Sequence, residues 1–240
     1  MKIFNPKSSE MPEVLAQIEE VSGYSFTDQG LLMLALTHSS YAAEQTPPSP
    51  FNQRLEFLGD AVLQLVLSDF LYNGLTEAQE GILTRTRSLL AKEKATAEYA
   101  LQLGLNRALL LGNGENLTGG RERASILGDA FEAFLGAVYL DGGLEAARAV
   151  CARLLPSPEA CTELLGLEEN PKGMLLEHCQ STLQAKPEYV CLSTQGPVHQ
   201  PVYEVMVTLN GKEIARGCGK SRKAAECDAA KKAMQNQNWK

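Results

Sequence analysis

The sequence predicts an all-helical domain followed by a small α+β domain of order α-β-β-β-α. Three observations predict it. From Glu10 to Leu155 the apolar residues recur with helical spacing, and no convincing strand interrupts them. Beyond Pro156-Ser157-Pro158 the pattern changes: three segments alternate with period two, and a helical segment stands on either side of them. The charge changes sign as well. Residues 1–170 carry twelve Lys/Arg against 23 Asp/Glu, or −11, while residues 171–240 carry ten against six, or +4. The net charge of −7 over 240 residues hides this segregation.

Residues 1–9 have no periodicity and are expected to fray. Glu10 to Val21 is amphipathic, with Val14, Leu15 and Ile18 on one face. Thr27 is a candidate N-cap for a helix through Leu31, Leu34 and Leu36. Thr46-Pro47-Pro48-Ser49-Pro50 is a loop, because prolines so spaced cannot continue a helix. Gln53 to Tyr72 (QRLEFLGDAVLQLVLSDFLY) has too many apolar residues for one face, so a central, largely buried helix is expected. Thr76 to Gln79 resembles a capping box opening the next helix, through Ile82 and Leu90. Ala91 to Leu103 is another helix, stopped near Gly104. Gly112 to Arg123 is a glycine-rich polar loop. Ser125 is a candidate N-cap for a helix to Leu140 that is apolar nearly all round. Asp141-Gly142-Gly143 closes it, and Leu144 to Leu155 forms one more.

Residues 10–155 are therefore read as one domain and 156–170 as a weakly structured linker. Residues 171–237 form the second domain. Pro171 to Leu183 is helical. Glu188–Ser193, Val202–Leu209 and Glu213–Cys218 are strands, with Asn210-Gly211 as a hairpin turn, and Ser221 to Gln235 is the last helix.

Composition narrows the class. An apolar fraction of 44% and a charged fraction of 21% are those of a soluble globular protein. No run of eighteen apolar residues exists, so no membrane span is expected. The start, MKIFNPKSSEMPEV, lacks a signal-peptide core, and a cytoplasmic protein is expected. The six cysteines include no Cys-x-x-Cys pair, which favours free thiols over a disulfide or zinc framework.

Two of the apolar helices carry paired acids. Glu56 and Asp60 stand four residues apart on one helix face, and Asp129 and Glu132 stand three apart on the other helix. If the helices pack together, four carboxylates converge, and like charges so placed need compensation. Hard divalent cations bind such oxygens, and a magnesium pair can activate water and stabilise a leaving oxygen in phosphoryl transfer. On spacing alone a second reading stands beside this one. Asp129 would be favoured by the helix dipole, and Arg54, Arg85 and Arg87 would neutralise the other acids.

RLEFLGDAVL (Arg54–Leu63), GGRERASILGDAFEAFLGAVYLDGG (Gly119–Gly143) and LTHSSY (Leu36–Tyr41) resemble three conserved blocks of the ribonuclease III family, in the family's order. The resemblance implies that Glu56, Asp60, Asp129 and Glu132 are magnesium-binding carboxylates, with Asp60 and Glu132 essential to catalysis and manganese an acceptable substitute. It implies a homodimer with Phe57 at the contact. It implies cleavage of double-stranded RNA to 5′-phosphate and 3′-hydroxyl ends with a short 3′ overhang, with ribosomal RNA precursors and structured messages as expected substrates. Gln53 stands where bacterial members often carry Glu, which keeps hydrogen bonding but loses a charge. Glu80 is the expected counterpart of a further family acid on the following helix.

The tail resembles a double-stranded-RNA-binding domain, which reads A-form shape across two minor grooves. GPVH (Gly196–His199) resembles the loop that places His199 in a minor groove. GKSRKAAE (Gly219–Glu226) resembles the basic start of the second helix, where Lys220, Arg222 and Lys223 meet phosphates. Glu177 and Gln180 match minor-groove positions of the first helix. Arg121 and Arg123 either touch RNA from the helical domain or close their own loop by ion pairing.

Overall fold

A computed structural model describes residues 10–197 and 200–236. Residues 1–9, expected to fray, and His199 lie outside the described residues. The chain divides into two compact units between Cys161 and Thr162.

In the first unit, α1 (Met11–Ser22), α2 (Gln29–Ala35) and α3 (Ser39–Glu44) lead to the long α4 (Gln53–Gly74). Then come α5 (Glu80–Leu90), α6 (Glu93–Gln102) and two short helices, α7 (Leu105–Ala108) and α8 (Asn113–Leu117), before α9 (Ala124–Leu154). Helix α9 bends at Gly143, whose φ of 78° and ψ of −173° leave helical space, so the Asp-Gly-Gly segment does divide two helices. Asp141 fastens that bend. Its carboxylate accepts from Tyr24 Oη (2.7 Å) and from the backbone N–H groups of Thr27 (2.8 Å) and Asp28 (2.9 Å).

The core lies where α4 packs along α9. Leu63, Leu67 and Leu71 of α4 and Phe131 and Phe134 of α9 are buried. Phe134 meets Phe26 edge-on at 5.8 Å, and Phe131 meets Tyr99 at 5.2 Å. An Arg148–Asp69 ion pair ties α9 to α4. Helix α4 falls short of the largely buried helix expected. Phe57 is 82% exposed, Tyr72 72% and Leu65 52%.

Three caps differ from the sequence reading. Helix α2 is capped not by Thr27 but by the next residue, Asp28, whose Oδ1 accepts from Gly30 N–H (2.8 Å). No capping box forms at Thr76: α4 runs on to Gly74, the chain turns through 75–79, and α5 starts at Glu80 after Gln79. Helix α9 starts at Ala124, ahead of Ser125, without a side-chain cap. Residues 112–123 are more ordered than a loop, holding α8 and a 3-10 turn, Gly120–Glu122.

The expected linker contains a helix, α10 (Pro158–Glu169). Pro158 suits a first helical turn, Ser157 Oγ accepts from Ala160 N–H (3.3 Å), and Cys161 and Leu165 are buried. In the second unit, α11 (Pro171–Leu183) and α12 (Arg222–Gln235) accompany an antiparallel sheet of order β1-β2-β3: β1 (Pro187–Gln195), β2 (Val202–Leu209) and β3 (Lys212–Gly219). Asn210 and Gly211 both have positive φ, as the tight hairpin turn requires. Leu175, Cys179, Val207, Ala229 and Ala233 form its core.

Candidate active site

Glycines set how closely α4 and α9 approach. A Cβ added at Gly59 would lie 1.7 Å from the Glu132 carbonyl oxygen, and one added at Gly136 2.3 Å from that of Leu55. The helices therefore touch backbone to backbone. Glu56 and Asp60 flank Gly59 on α4, while Asp129 and Glu132 precede Gly136 on α9. The crossing thus brings the two acid pairs to one place.

Electrostatics record the convergence. Burial, reinforced by the charges of Asp60, Asp129 and Glu56, pushes the Glu132 carboxyl up to about 7. Burial and Asp129 raise Glu56. Burial raises Asp129 too; the charge of His38 opposes that and the charge of Glu93 adds to it. Asp60 is exposed and accepts from Gln64 Nε2 at 3.3 Å.

The neutralising cations of the second reading do not appear. Among the described residues no Lys or Arg pairs with any of the four acids. Arg87 instead donates to Ser68 Oγ (2.9 Å), and Arg54 is exposed. Asp129 lies beyond the first turn of α9, where the dipole has faded. Among the described residues no three His, Cys, Asp or Glu side chains close around a single ion position. The donor chemistry nonetheless fits a hard divalent cation: four carboxylates, no soft ligand, and among the described residues no Lys or Arg paired with them.

The other residues singled out in this unit lie on several elements. Phe57 projects from α4 into solvent. Gln53 is the first, exposed residue of α4. Glu80 heads α5 and accepts from Thr84 Oγ1 (2.8 Å). Arg121 donates to Asn116 Oδ1 (3.0 Å) and Asn106 O (2.8 Å), and Arg123 pairs with Glu115. Both arginines are engaged in closing the 112–123 segment.

In the second unit Glu177 and Gln180 lie exposed on one face of α11, opposite buried Leu175 and Cys179. Ser221 caps α12, its Oγ accepting from Ala224 N–H (3.1 Å). Lys220, Arg222 and Lys223 surround that helix start and are exposed. Arg222 is not free: it pairs with Glu226 at 3.0 Å, and Glu226 also holds Lys172 at 2.5 Å. Lys220 and Lys223 have no ion pair among the described residues.

Residues 28–158 match a family model described as Ribonuclease-III-like, and residues 171–237 match the double-stranded RNA binding motif. The chain belongs to the ribonuclease III family. A Ribonuclease 3 of Wolinella succinogenes is 41% identical over 224 residues, spanning 93% of this chain and 92% of that protein. One from Pelotomaculum thermopropionicum is 45% identical over 214 residues, 88% of each. The solved nuclease domain of ribonuclease III from Campylobacter jejuni superposes with a TM-score of 0.55 at 41% identity, covering 58% of this chain and 94% of its own. Joined as they are here, a ribonuclease III domain and a double-stranded RNA binding motif make an endoribonuclease that acts on double-stranded RNA.

Within this ribonuclease III chain, reading the sequence overlooked His38 and Glu93, the two further residues whose charges act on Asp129. His38 was within reach, since it stands in the LTHSSY block. Glu93 carried no signal, because its nearness to Asp129 arises only when α6 packs on α9.

Proposed function

We propose that this chain is a magnesium-dependent endoribonuclease that hydrolyses phosphodiester bonds of double-stranded RNA, leaving 5′-phosphate and 3′-hydroxyl ends with a short 3′ overhang. The observation that carries this reading is the meeting of four carboxylates, none paired with a Lys or Arg among the described residues, at the Gly59/Gly136 crossing, in a chain that also bears a double-stranded RNA binding motif.

Glu56, Asp60, Asp129 and Glu132 would hold magnesium, or manganese in its place. When bound, a divalent cation supplies Lewis-acid stabilisation of charge on the attacking and leaving oxygens. Glu132, whose carboxyl burial and neighbouring acids raise to about 7, would have to release its proton to solvent before it could serve as a ligand. Asp60, which is exposed, would orient water toward the phosphorus. Lys220 and Lys223 bind phosphates at the head of α12, and Glu177 and Gln180 face a minor groove. Arg222 joins them only by sharing or leaving Glu226. The exposed apolar row Phe57, Leu65 and Tyr72 on α4 supports a homodimer, since solvent is a poor partner for such a row on so central a helix.

Cleavage of a labelled RNA duplex tests the reading, run with and without magnesium beside the matching single strand and DNA duplex. Magnesium-dependent cutting of the RNA duplex alone is expected. Duplex binding without cutting would reduce the chain to an RNA-binding protein. Glu132→Ala and Asp60→Ala should each lower cleavage about a hundred- to a thousandfold, the scale of losing an electrostatic catalytic group. Both should keep wild-type duplex affinity in calcium.

A further inference from the structure

One carboxylate joins the two helices of the second unit. Lys172 Nζ, from α11, donates to Glu226 Oε2 at 2.5 Å. Arg222 Nε, one turn back along α12, donates to Glu226 Oε1 at 3.0 Å. The Glu226 side chain is only 13% exposed, and a carboxylate so covered is costly to leave without a cation.

Its two cations are held differently. Lys172 is 38% exposed, and its ammonium also stands 4.6 Å over the Tyr189 ring of β1. Its backbone is fixed in the first turn of α11, after buried Pro171, where Asn170 Oδ1 accepts from Gly173 N–H (3.1 Å). Arg222 is 62% exposed and heads α12 beside Lys223. Of the two, Lys172 does more to hold the Glu226 carboxyl below its ordinary range, through its hydrogen bond. Lys172 is thus the seated partner of Glu226, and Arg222 is the one placed to leave.

We propose that Lys172 is a positioning residue for duplex recognition: by keeping Glu226 paired, it lets Arg222 leave that carboxylate for an RNA phosphate. Without Lys172, Arg222 would be the one cation left on Glu226 among the described residues, and its departure would strand a covered charge. The proposal rests on the reading of the α12 head as a phosphate-binding site.

Affinity of the full chain for an RNA duplex in calcium, followed across a salt series and read beside the thermal midpoint, tests this. Lys172→Met keeps a long side chain over Tyr189 and removes the charge. It should weaken binding about tenfold and reduce the slope of log affinity against log salt by about one, because Arg222 stays on Glu226. Adding Glu226→Gln should restore the slope and most of the affinity, since no carboxylate then detains Arg222. Glu226→Gln alone should bind as tightly as the wild type or tighter. Lys172→Arg, with a cation still in reach of Glu226, should keep the wild-type slope. A fall in affinity that follows the midpoint at an unchanged slope overturns the proposal. Loss of slope to the same extent with and without Glu226→Gln overturns it in favour of a direct phosphate contact by Lys172. Weaker binding by Glu226→Gln alone overturns it as well. Replacing Lys220 and Lys223 together by alanine provides the reference. If that protein keeps the wild-type slope, the phosphate-binding reading of the α12 head has failed; if it loses slope while Lys172→Met does not, only the role of Lys172 has.

Discussion

Glu132 is the residue whose charge depends most on its neighbours. Its carboxyl stands at about 7 against an ordinary 4.5, through burial first and then Asp60, Asp129 and Glu56. Between those values the folded chain keeps a proton that the unfolded chain has released. The associated stability is complete below the unfolded value and is lost as pH rises through about 7. The metal-free protein should therefore weaken between about pH 5 and pH 8. The contribution should be about 1–2 kcal/mol, because the group is only partly shielded from solvent. Glu132→Gln should flatten that slope. Urea unfolding of both proteins in EDTA at the two pH values checks this, and parallel slopes would count against it. Asp141 behaves in the opposite sense. Its hydrogen bonds from Tyr24, Thr27 and Asp28 hold its pKa down, so its contribution is present above the unfolded value and is lost as pH falls through the depressed one.

At the scale of elements, the α4–α9 crossing governs the site. Gly59→Ala and Gly136→Ala would each drive a methyl into a backbone carbonyl, which the long, buried helices cannot evade. Each should cost upward of about 3 kcal/mol, at or beyond the usual range for overpacking. Gly114→Ala, where an added Cβ meets nothing within 4 Å, should leave stability level or slightly raised. Thermal unfolding of the three variants provides the comparison. The helices themselves were legible because their apolar spacing is a local property. Their starts were less so: α2 begins one residue later than expected, where Asp141 fastens the N–H groups of Thr27 and Asp28, and the length of α4 moves the start of α5. Helix α10 was missed because its two prolines read as a linker, although Ser157 before Pro158 is itself a helix-start signal.

For the whole molecule, charge segregation sets the expectation. Replacing Lys220 and Lys223 together by alanine should weaken duplex binding. It should also reduce the slope of log affinity against log salt by about two, one for each phosphate no longer neutralised. Arg222→Ala should do less, since Glu226 already neutralises that guanidinium. Binding titrations across a salt series measure both. Phe57→Ala should shift the protein from dimer toward monomer in sedimentation. The exposure of Leu65 and Tyr72 could not be read from sequence, and that of Phe57 followed only from the family resemblance. A leucine or phenylalanine facing a partner has the same local signature as one facing the core, and only the folded chain tells them apart. From spacing the four acids were legible as two pairs on two helices, and as one group only through the family resemblance; the contact that joins them is a matter of the fold. It needs the close approach of Gly59 and Gly136, which no spacing rule announces.

The same approach governs how such a protein can change over time. The distance between the acid pairs is set by main chain against main chain, with no side-chain volume in between. Leucines, valines and phenylalanines elsewhere in the core can drift in size and shape while the carboxylates hold their stations. Lineages adapting to heat or cold can thus repack the interior freely, with the chemistry inherited intact, provided two positions never acquire a methyl group.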